Sequence, residues 1–400
     1  MIIRARTIVT MNGAPIENGA VAIAGDKITD VGSFSGVAAR NTGEIVDLGE
    51  QILLPGLINA HCHLDYTCLR GKIAAPKSFT DWIRSINAEK ATLSPDDYVD
   101  SIQRGFEEAR RFGTTTIANL TAFPELIART TPPIRTWWLA ELIDVREPDN
   151  AEAIVERAVD LLKRAQNWGL APHAPYTASP QLYARCEAVA GLLTTHLAES
   201  EDEMAMSADQ EGPLFEFLQS LGLPLFEHNG VTPVQHLLAN CRLNHRWIVV
   251  HLNKVLDSDL AMLAKAETKC HVVHCPRSHA YFRHPTFPFS KFREGGFNVS
   301  LATDSLASND DLSLFEEMRK FHSSQRELSP EQILHFVTTN PARALGAARN
   351  LGQLANGFFA DLIAISAAPS KSDAFEEILG HEGSVSWMMI NGKVRLPSTA

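Results

Sequence analysis

The sequence has no apolar run long enough to span a bilayer, so no membrane partner is expected. The opening Met1-Ile2-Ile3-Arg4-Ala5-Arg6 also lacks the apolar stretch and small-residue cleavage site of a secretory leader. The six cysteines (62, 68, 186, 241, 270 and 275) form no CxxC pair and no small-domain spacing. They read as reduced thiols of a cytoplasmic protein rather than a disulfide framework. Basic charge is scarce: 36 Lys and Arg face 47 Asp and Glu, a net −11, and no local basic patch offsets it. Such a chain repels phosphate backbones, so nucleic acid is excluded as the main partner. Short repeats and low-complexity tracts are missing as well.

The 400 residues, 45% of them hydrophobic, are enough for a large buried core and for two to three domains by length alone. The two chain ends share one texture. Residues 1–54 are short β-type runs between turns: Ile2–Met11, Ala20–Ala24, Lys27–Val31 and Glu44–Asp47. Residues 351–400 resume that pattern, with Asn391-Gly392 as a two-residue hairpin turn. One small composite β-sandwich domain, built from both ends, is expected around a central domain of residues 55–350.

In that centre, short apolar runs alternate with helical stretches. The runs are Gly56–His61, Thr114–Leu120, Thr136–Ile143, Gly169–Pro172, Leu192–His196, Trp247–His251, Cys270–His274 and Asn298–Thr303. Helices are expected at Tyr98–Phe112, Ala151–Gln166, Pro180–Val189 and Leu312–His322. Eight such strands with helical crossovers specify an α/β fold, a (β/α)8 TIM-like barrel. A doubly wound open sheet is the rival, but no Gly-rich phosphate turn follows any strand.

In a TIM-like barrel the chemistry sits at the C-terminal strand ends. Here seven of the eight runs end in a polar candidate: His61/His63, Asn119, His173, His196, His251, His274 and Asp304. Residues two apart on a strand face the same way, so His61 and His63 present two imidazoles to one side. An HxH pair alone fits two partly exposed histidines as well as a metal. Thr195-His196-Leu197-Ala198-Glu199 adds an imidazole and a carboxylate, though a polar loop would read the same way. Asp304 closes the eighth run, where an aspartate also caps helices. Three nitrogens and one carboxylate would leave a coordination position for water, the layout of a catalytic metal site.

Several ordered motifs carry a resemblance across nearly the whole chain. Pro55-Gly56-Leu57-Ile58-Asn59-Ala60-His61-Cys62-His63, Thr195–Ser200, His274-Cys275-Pro276 and Thr303-Asp304-Ser305-Leu306-Ala307-Ser308-Asn309 are similar to those of the amidohydrolase superfamily. Within it they resemble the aminohydrolase branch of adenosine-type, methylthioadenosine/S-adenosylhomocysteine and guanine deaminases and triazine hydrolases. The resemblance implies that His61, His63, His196 and Asp304 ligate one divalent metal, that Glu199 shuttles protons, and that His251 contacts the attacking hydroxide. The fourth strand ends in Ala171-Pro172-His173 and offers no lysine for carbamylation, so one ion is expected rather than two. Zinc comes first, with iron and manganese as alternatives that imidazole and carboxylate also accept.

The chemistry implied is hydrolytic release of ammonia from an adenine-like ring of a nucleoside, a small heterocyclic substrate. Asp304 would accept the proton of water, and Glu199 would protonate the ring nitrogen and then the departing ammonia. Hydrolysis of another C–N or C–Cl bond, on guanine, a pterin or a triazine, would use the same metal site. A non-catalytic barrel scaffold predicts lost ligands, and none is lost. For substrate contacts, His173 is a candidate, or else it orients a metal ligand. Trp82 is a candidate for the wall over the base, or else a core tryptophan, and Asp81 for holding a sugar. Arg277 and His279 could meet an anionic or polyhydroxyl substituent, or else form a solvated or subunit-contact face. Met204 and Met206 are expected to pack a helix, and Glu316-Glu317 to be solvated. A homodimer is the prior for such an enzyme.

Overall fold

Each of the eight apolar runs forms a strand in the computed structural model, which describes residues 1–74, 76–223, 230–368 and 373–396. The barrel strands, first to eighth, are Leu57–Cys62, Thr114–Thr121, Arg135–Leu142, Asn167–Pro172, Leu193–Leu197, Trp247–His251, His271–His274 and Asn298–Leu301. They pair in that order and are parallel throughout. Nearly all of their residues are buried, which is why they read as continuous apolar runs. A bridge between Cys62 and Asp304 closes the ring, and the Asp304 N–H donates to the His61 carbonyl at 3.3 Å. That seam makes the sheet a barrel and brings the first and eighth strand ends together.

The crossover helices follow their local signals. The helix Pro95–Arg111 starts where the Ser94 hydroxyl accepts from the Asp97 N–H while the Asp97 carboxylate accepts from the Ser94 N–H. It buries Ile102, Phe106 and Ala109 against the strands. Pro180–Val189 begins at a Ser179 cap, and Ala151–Leu162 and Leu314–Ser324 occupy the other expected stretches.

The two chain ends build a second, mixed sheet, the composite β-structure expected. Its strands run in the order Lys27–Ser33, Ile16–Ala24, Ile2–Ile8, Gln51–Pro55, Leu362–Ser366, Trp387–Ile390 and Lys393–Leu396, with Ile45–Asp47 also paired to Ile2–Ile8. Asn391 (φ 51°) and Gly392 (φ 70°) make the last hairpin turn. The chain passes from this sheet into the barrel at Gly56, where a Cβ would lie 2.1 Å from Thr115 Oγ1. Only glycine fits that approach. Buried Arg135 at the start of the third strand donates to Asp361 at 3.1 Å and stacks on Phe359, tying the barrel to the terminal sheet. Among the described residues, no helix is long and apolar enough to cross a membrane.

Candidate active site

Strand alternation decides which polar end groups face into the barrel. Ile58, Ala60, Ala118, Leu120, Leu139, Ala171, Ile248, Val250, Val273 and Ala302 form one cluster inside it. Two residues beyond members of those inward rows come Glu141, His173 and Asp304, and His196 faces inward between the outward-packed Leu193 and Leu197. Asn119 and His274 fall on outward rows. Asn119 accepts from the Leu64 N–H at 2.8 Å, and His274 stacks on Phe287 with ring centroids 3.9 Å apart. Neither lines the cavity described below.

Two departures from regular strand geometry turn further histidines inward. The first strand shifts register between Asn59 and Cys62, beside His61 and His63. At the sixth strand, His251 (φ 78°) and Leu252 (φ 49°) both adopt left-handed backbone, and the His251 ring comes 6.0 Å from that of His61. Ala198 (φ 51°) and Asp304 (φ 57°) are left-handed too. Strain of this kind, gathered at four positions around one point, marks a site that the surrounding packing holds in place.

The structure brings His61, His63, His196 and Asp304 together. His63 Nε2 and His196 Nε2 are 3.3 Å apart, and Asp304 Oδ1 is 3.6 Å from His61 Nε2 and 3.9 Å from His63 Nε2. One ligand atom from each of His61, His63 and Asp304 lies within 4.8 Å of the others, and the same holds for His61, His196 and His251. Both His61 ring nitrogens and His63 Nδ1 are buried without a hydrogen-bond partner among the described residues. Burial pushes the His63 and His251 imidazoles well below their ordinary value and His196 down to about 3, so all three are neutral donors. Burial opposes ionisation of Asp304, yet the neighbouring His61, His251 and His63 hold its carboxyl below the usual range. Neutral imidazoles around one ionised carboxylate, with both His61 ring nitrogens lacking a hydrogen-bond partner among the described residues, fit a divalent cation such as zinc.

Glu199 stands beside this cluster, its Oε2 3.4 Å from His251 Nε2. Burial first, then Asp304 and Glu203, raises its carboxyl well above the ordinary value, so it carries a proton near neutrality. A clamp fixes its backbone. The Glu203 carboxylate accepts from the Ala198 N–H at 3.0 Å and the Glu199 N–H at 2.7 Å, and Asn253 Nδ2 donates to the Glu199 carbonyl at 3.1 Å. His279 Nδ1 lies 3.1 Å from Asn253 Oδ1 and anchors it.

A cavity of about 220 Å³ opens over these groups. His63, His196, Glu199, His251 and Asp304 line its inner end, with Glu141 and His173; Phe79, Trp82, Ile83, Ile86, Phe217 and Leu218 line its apolar wall. Trp82 therefore faces the cavity, its Nε1 donating to the Ala307 carbonyl at 3.3 Å. His173 does both things considered for it: it lines the cavity, and its carbonyl oxygen lies 3.1 Å from His196 Nδ1. Arg277 and His279 do not line it. Arg277 pairs with Asp311 at 2.6 Å and Asp310 at 3.1 Å, while His279 holds Asn253. Both lie on the short helix Pro276–Tyr281, and their partners there are Asp310, Asp311 and Asn253. Asp81 is also off the cavity, 3.5 Å from Arg84. Glu317, expected in solvent, is fully buried; it accepts from the Arg277 N–H at 2.9 Å and from Asn309 at 2.7 Å. Met206 packs in the core, as expected.

Two carboxylates escaped the sequence reading. Glu141 had a usable signal, being two residues beyond inward Leu139 on an otherwise apolar strand end. Glu203 had none, since its partners are backbone N–H groups.

The chain matches known proteins along most of its length. The amidohydrolase family matches residues 52–395. A 5-methylthioadenosine/S-adenosylhomocysteine deaminase of Syntrophobacter fumaroxidans is 31% identical over 376 residues, 88% of this chain and 81% of that protein. Two solved structures share the fold. A zinc-bound adenosine deaminase of Xanthomonas campestris has TM-score 0.85 and 24% identity, covering 99% of this chain and 92% of that one. The aminofutalosine deaminase of Helicobacter pylori, in complex with methylthio-coformycin, has TM-score 0.86 and 22% identity, covering 98% and 99%. With the family matched along most of its length, and a relative above 30% identity over most of both chains, this protein belongs to the amidohydrolase family.

Proposed function

We propose that this protein is a metal-dependent aminohydrolase that releases ammonia from an adenine-like ring of a nucleoside. The observation that carries the reading is the Glu199–His251 pair, 3.4 Å apart, beside three imidazoles and a carboxylate at one end of one cavity. The similarity to the 5-methylthioadenosine/S-adenosylhomocysteine deaminase of Syntrophobacter fumaroxidans supports the substrate class.

His61, His63, His196 and Asp304 would hold the ion, and zinc is the choice we favour because the structurally similar Xanthomonas campestris adenosine deaminase binds it. When bound, such an ion supplies the Lewis acidity that makes water nucleophilic at neutral pH. Glu199, protonated through burial, donates to the ring nitrogen next to the amino-bearing carbon and makes that carbon electrophilic. Neutral His251 accepts a hydrogen bond from the incoming water and aligns it with the carbon. Of the water's two protons, one passes through Asp304 and Glu199 to the departing amino group and the other restores the Glu199 carboxyl, whose own proton stays on the ring nitrogen. A C–O bond forms, the C–N bond breaks, and ammonia departs as the ring takes the keto form. The apolar wall of Phe79, Trp82 and Ile86 excludes competing water from the base.

A panel of adenine nucleosides, assayed for ammonia and for the ultraviolet shift of the ring, tests this. Turnover of at least one adenine nucleoside is expected. No turnover across the panel, with release from guanine, a pterin or a triazine, would replace the substrate class and keep the metal chemistry.

A further inference from the structure

Asp304 is the one carboxylate of the ligand set, and a carboxylate turns easily. The torsion that swings its two oxygens is broad, so neighbouring groups decide which oxygen faces the imidazoles. Here both oxygens are held. Oδ1 accepts from the Ser305 N–H at 2.8 Å and stands 3.6 Å from His61 Nε2 and 3.9 Å from His63 Nε2. Oδ2 accepts from the Ser278 hydroxyl at 2.8 Å, and Ser278 is only 1% exposed.

Ser278 is itself fixed. A hydroxyl has one proton and an ionised carboxylate can only accept, so Ser278 gives its proton to Asp304. The buried Ser308 hydroxyl, 2.9 Å away, is therefore the donor to Ser278. The helix Pro276–Tyr281, which carries Ser278, is held at its start by the Arg277 N–H, a donor to the buried Glu317 carboxyl at 2.9 Å. Ser308 belongs to the loop of Asp304, and its N–H donates to the Ser305 carbonyl at 3.2 Å. Ser278 does not line the substrate cavity, so its reach to the chemistry runs through Asp304.

We propose that Ser278 is a positioning residue for Asp304: its hydroxyl holds Oδ2 back, so that the carboxylate offers the ion one oxygen, Oδ1, and leaves a coordination position for water. A carboxylate can also bind a divalent ion through both oxygens, and without the Ser278 donor Oδ2 is free to take the position that water needs. This inference rests on the metal-dependent reading above. A proton relay is the rival role, because Ser308 lines a separate cavity of about 390 Å³. Such a relay has nothing to carry, since the mechanism returns both protons of water to the leaving group and to Glu199.

Cobalt(II) in place of zinc reports its ligand set through the position and intensity of its visible absorption bands. Spectra and steady-state kinetics on cobalt-loaded wild type, Ser278→Ala and Ser308→Ala test the proposal. Ser278→Ala should keep one ion per chain, show altered visible bands, and lose kcat by about 10–100-fold with KM within about 2-fold of wild type. Ser308→Ala leaves the Ser278 proton in place and should cost less kcat. A wild-type spectrum or a wild-type kcat in Ser278→Ala overturns the proposal. Loss of the ion from Ser278→Ala overturns it too, because Ser278 would then hold the ligand set together rather than choose its oxygen. Equal loss of kcat in both variants, with unchanged spectra, overturns it in favour of the relay. Failure of the underlying function looks different. Wild type that binds cobalt but releases no ammonia from any adenine nucleoside removes the nucleoside reading, and the spectra still decide the role of Ser278; wild type that binds no divalent ion removes both.

Discussion

Glu199 Oε2 and His251 Nε2 meet at 3.4 Å across the ends of the fifth and sixth barrel strands, and both side chains are almost fully buried. The contact depends on left-handed backbone at Ala198 and His251, which turns the two chains towards each other. It places a protonated carboxyl beside a neutral imidazole, an acid next to a group that can orient water.

Replacing the acid removes proton transfer and leaves the ligands alone. Glu199→Gln is expected to lower kcat by about 10²–10⁴-fold while metal content stays at the wild-type level. Ammonia release and metal analysis on the same preparation check this, and near-normal turnover would remove Glu199 from the mechanism.

The pH profile follows from the direction of the Glu199 shift. Its acid form is the active one, so kcat/KM is full below its raised pKa and falls as pH climbs through it. Glu203, raised by burial to about 7, is charged above that pH and is one cause of the Glu199 shift. Glu203→Gln should therefore move the alkaline limb to lower pH. An upward move or a fixed limb would contradict the assignment.

The same substitution tests the clamp. A glutamine has only one acceptor for the Ala198 and Glu199 N–H groups, so the Glu199 backbone loses part of its hold. Steady-state kinetics on Glu203→Gln should show kcat down on the order of 10–100-fold with KM little changed. A rise in KM at constant kcat would mean that Glu203 serves binding instead.

Arg277 gives the opposite expectation. Its ion pairs and its backbone bond to Glu317 lie off the cavity, so Arg277→Gln should leave KM within about 2-fold of wild type. It should lower stability by ~1–3 kcal/mol, because burial already raises the Glu317 carboxyl to about 8 and Arg277 is one of the groups favouring its charge. Denaturant unfolding measures the loss; a large KM change with no loss of stability would return Arg277 to the substrate site.

Much of this was legible in the chain. All eight barrel strands announce themselves as apolar runs because a parallel sheet buries both faces, and polar residues end most of these runs, although Asn119 and His274 face outward rather than into the cavity. His61, His63, His196 and Asp304 were readable for that reason. The helices expected at Tyr98–Phe112 and Pro180–Val189 and the Asn391-Gly392 turn were readable from local chemistry. Tertiary facts were harder. Nothing local to Arg277 or His279 shows that their partners are Asp310, Asp311 and Asn253, and nothing near Glu317 shows that Asn309 and the Arg277 backbone will bury it. Glu141 could have been found by counting two residues on from inward Leu139.

One titration puts the mechanism at risk. Protein stripped of metal is supplied with zinc in substoichiometric steps, and ammonia release from a turned-over adenine nucleoside is followed at each step. Activity should rise from nothing and level off at one ion per chain. Full activity without metal, or a plateau reached only at two ions, would contradict a single ion held by His61, His63, His196 and Asp304.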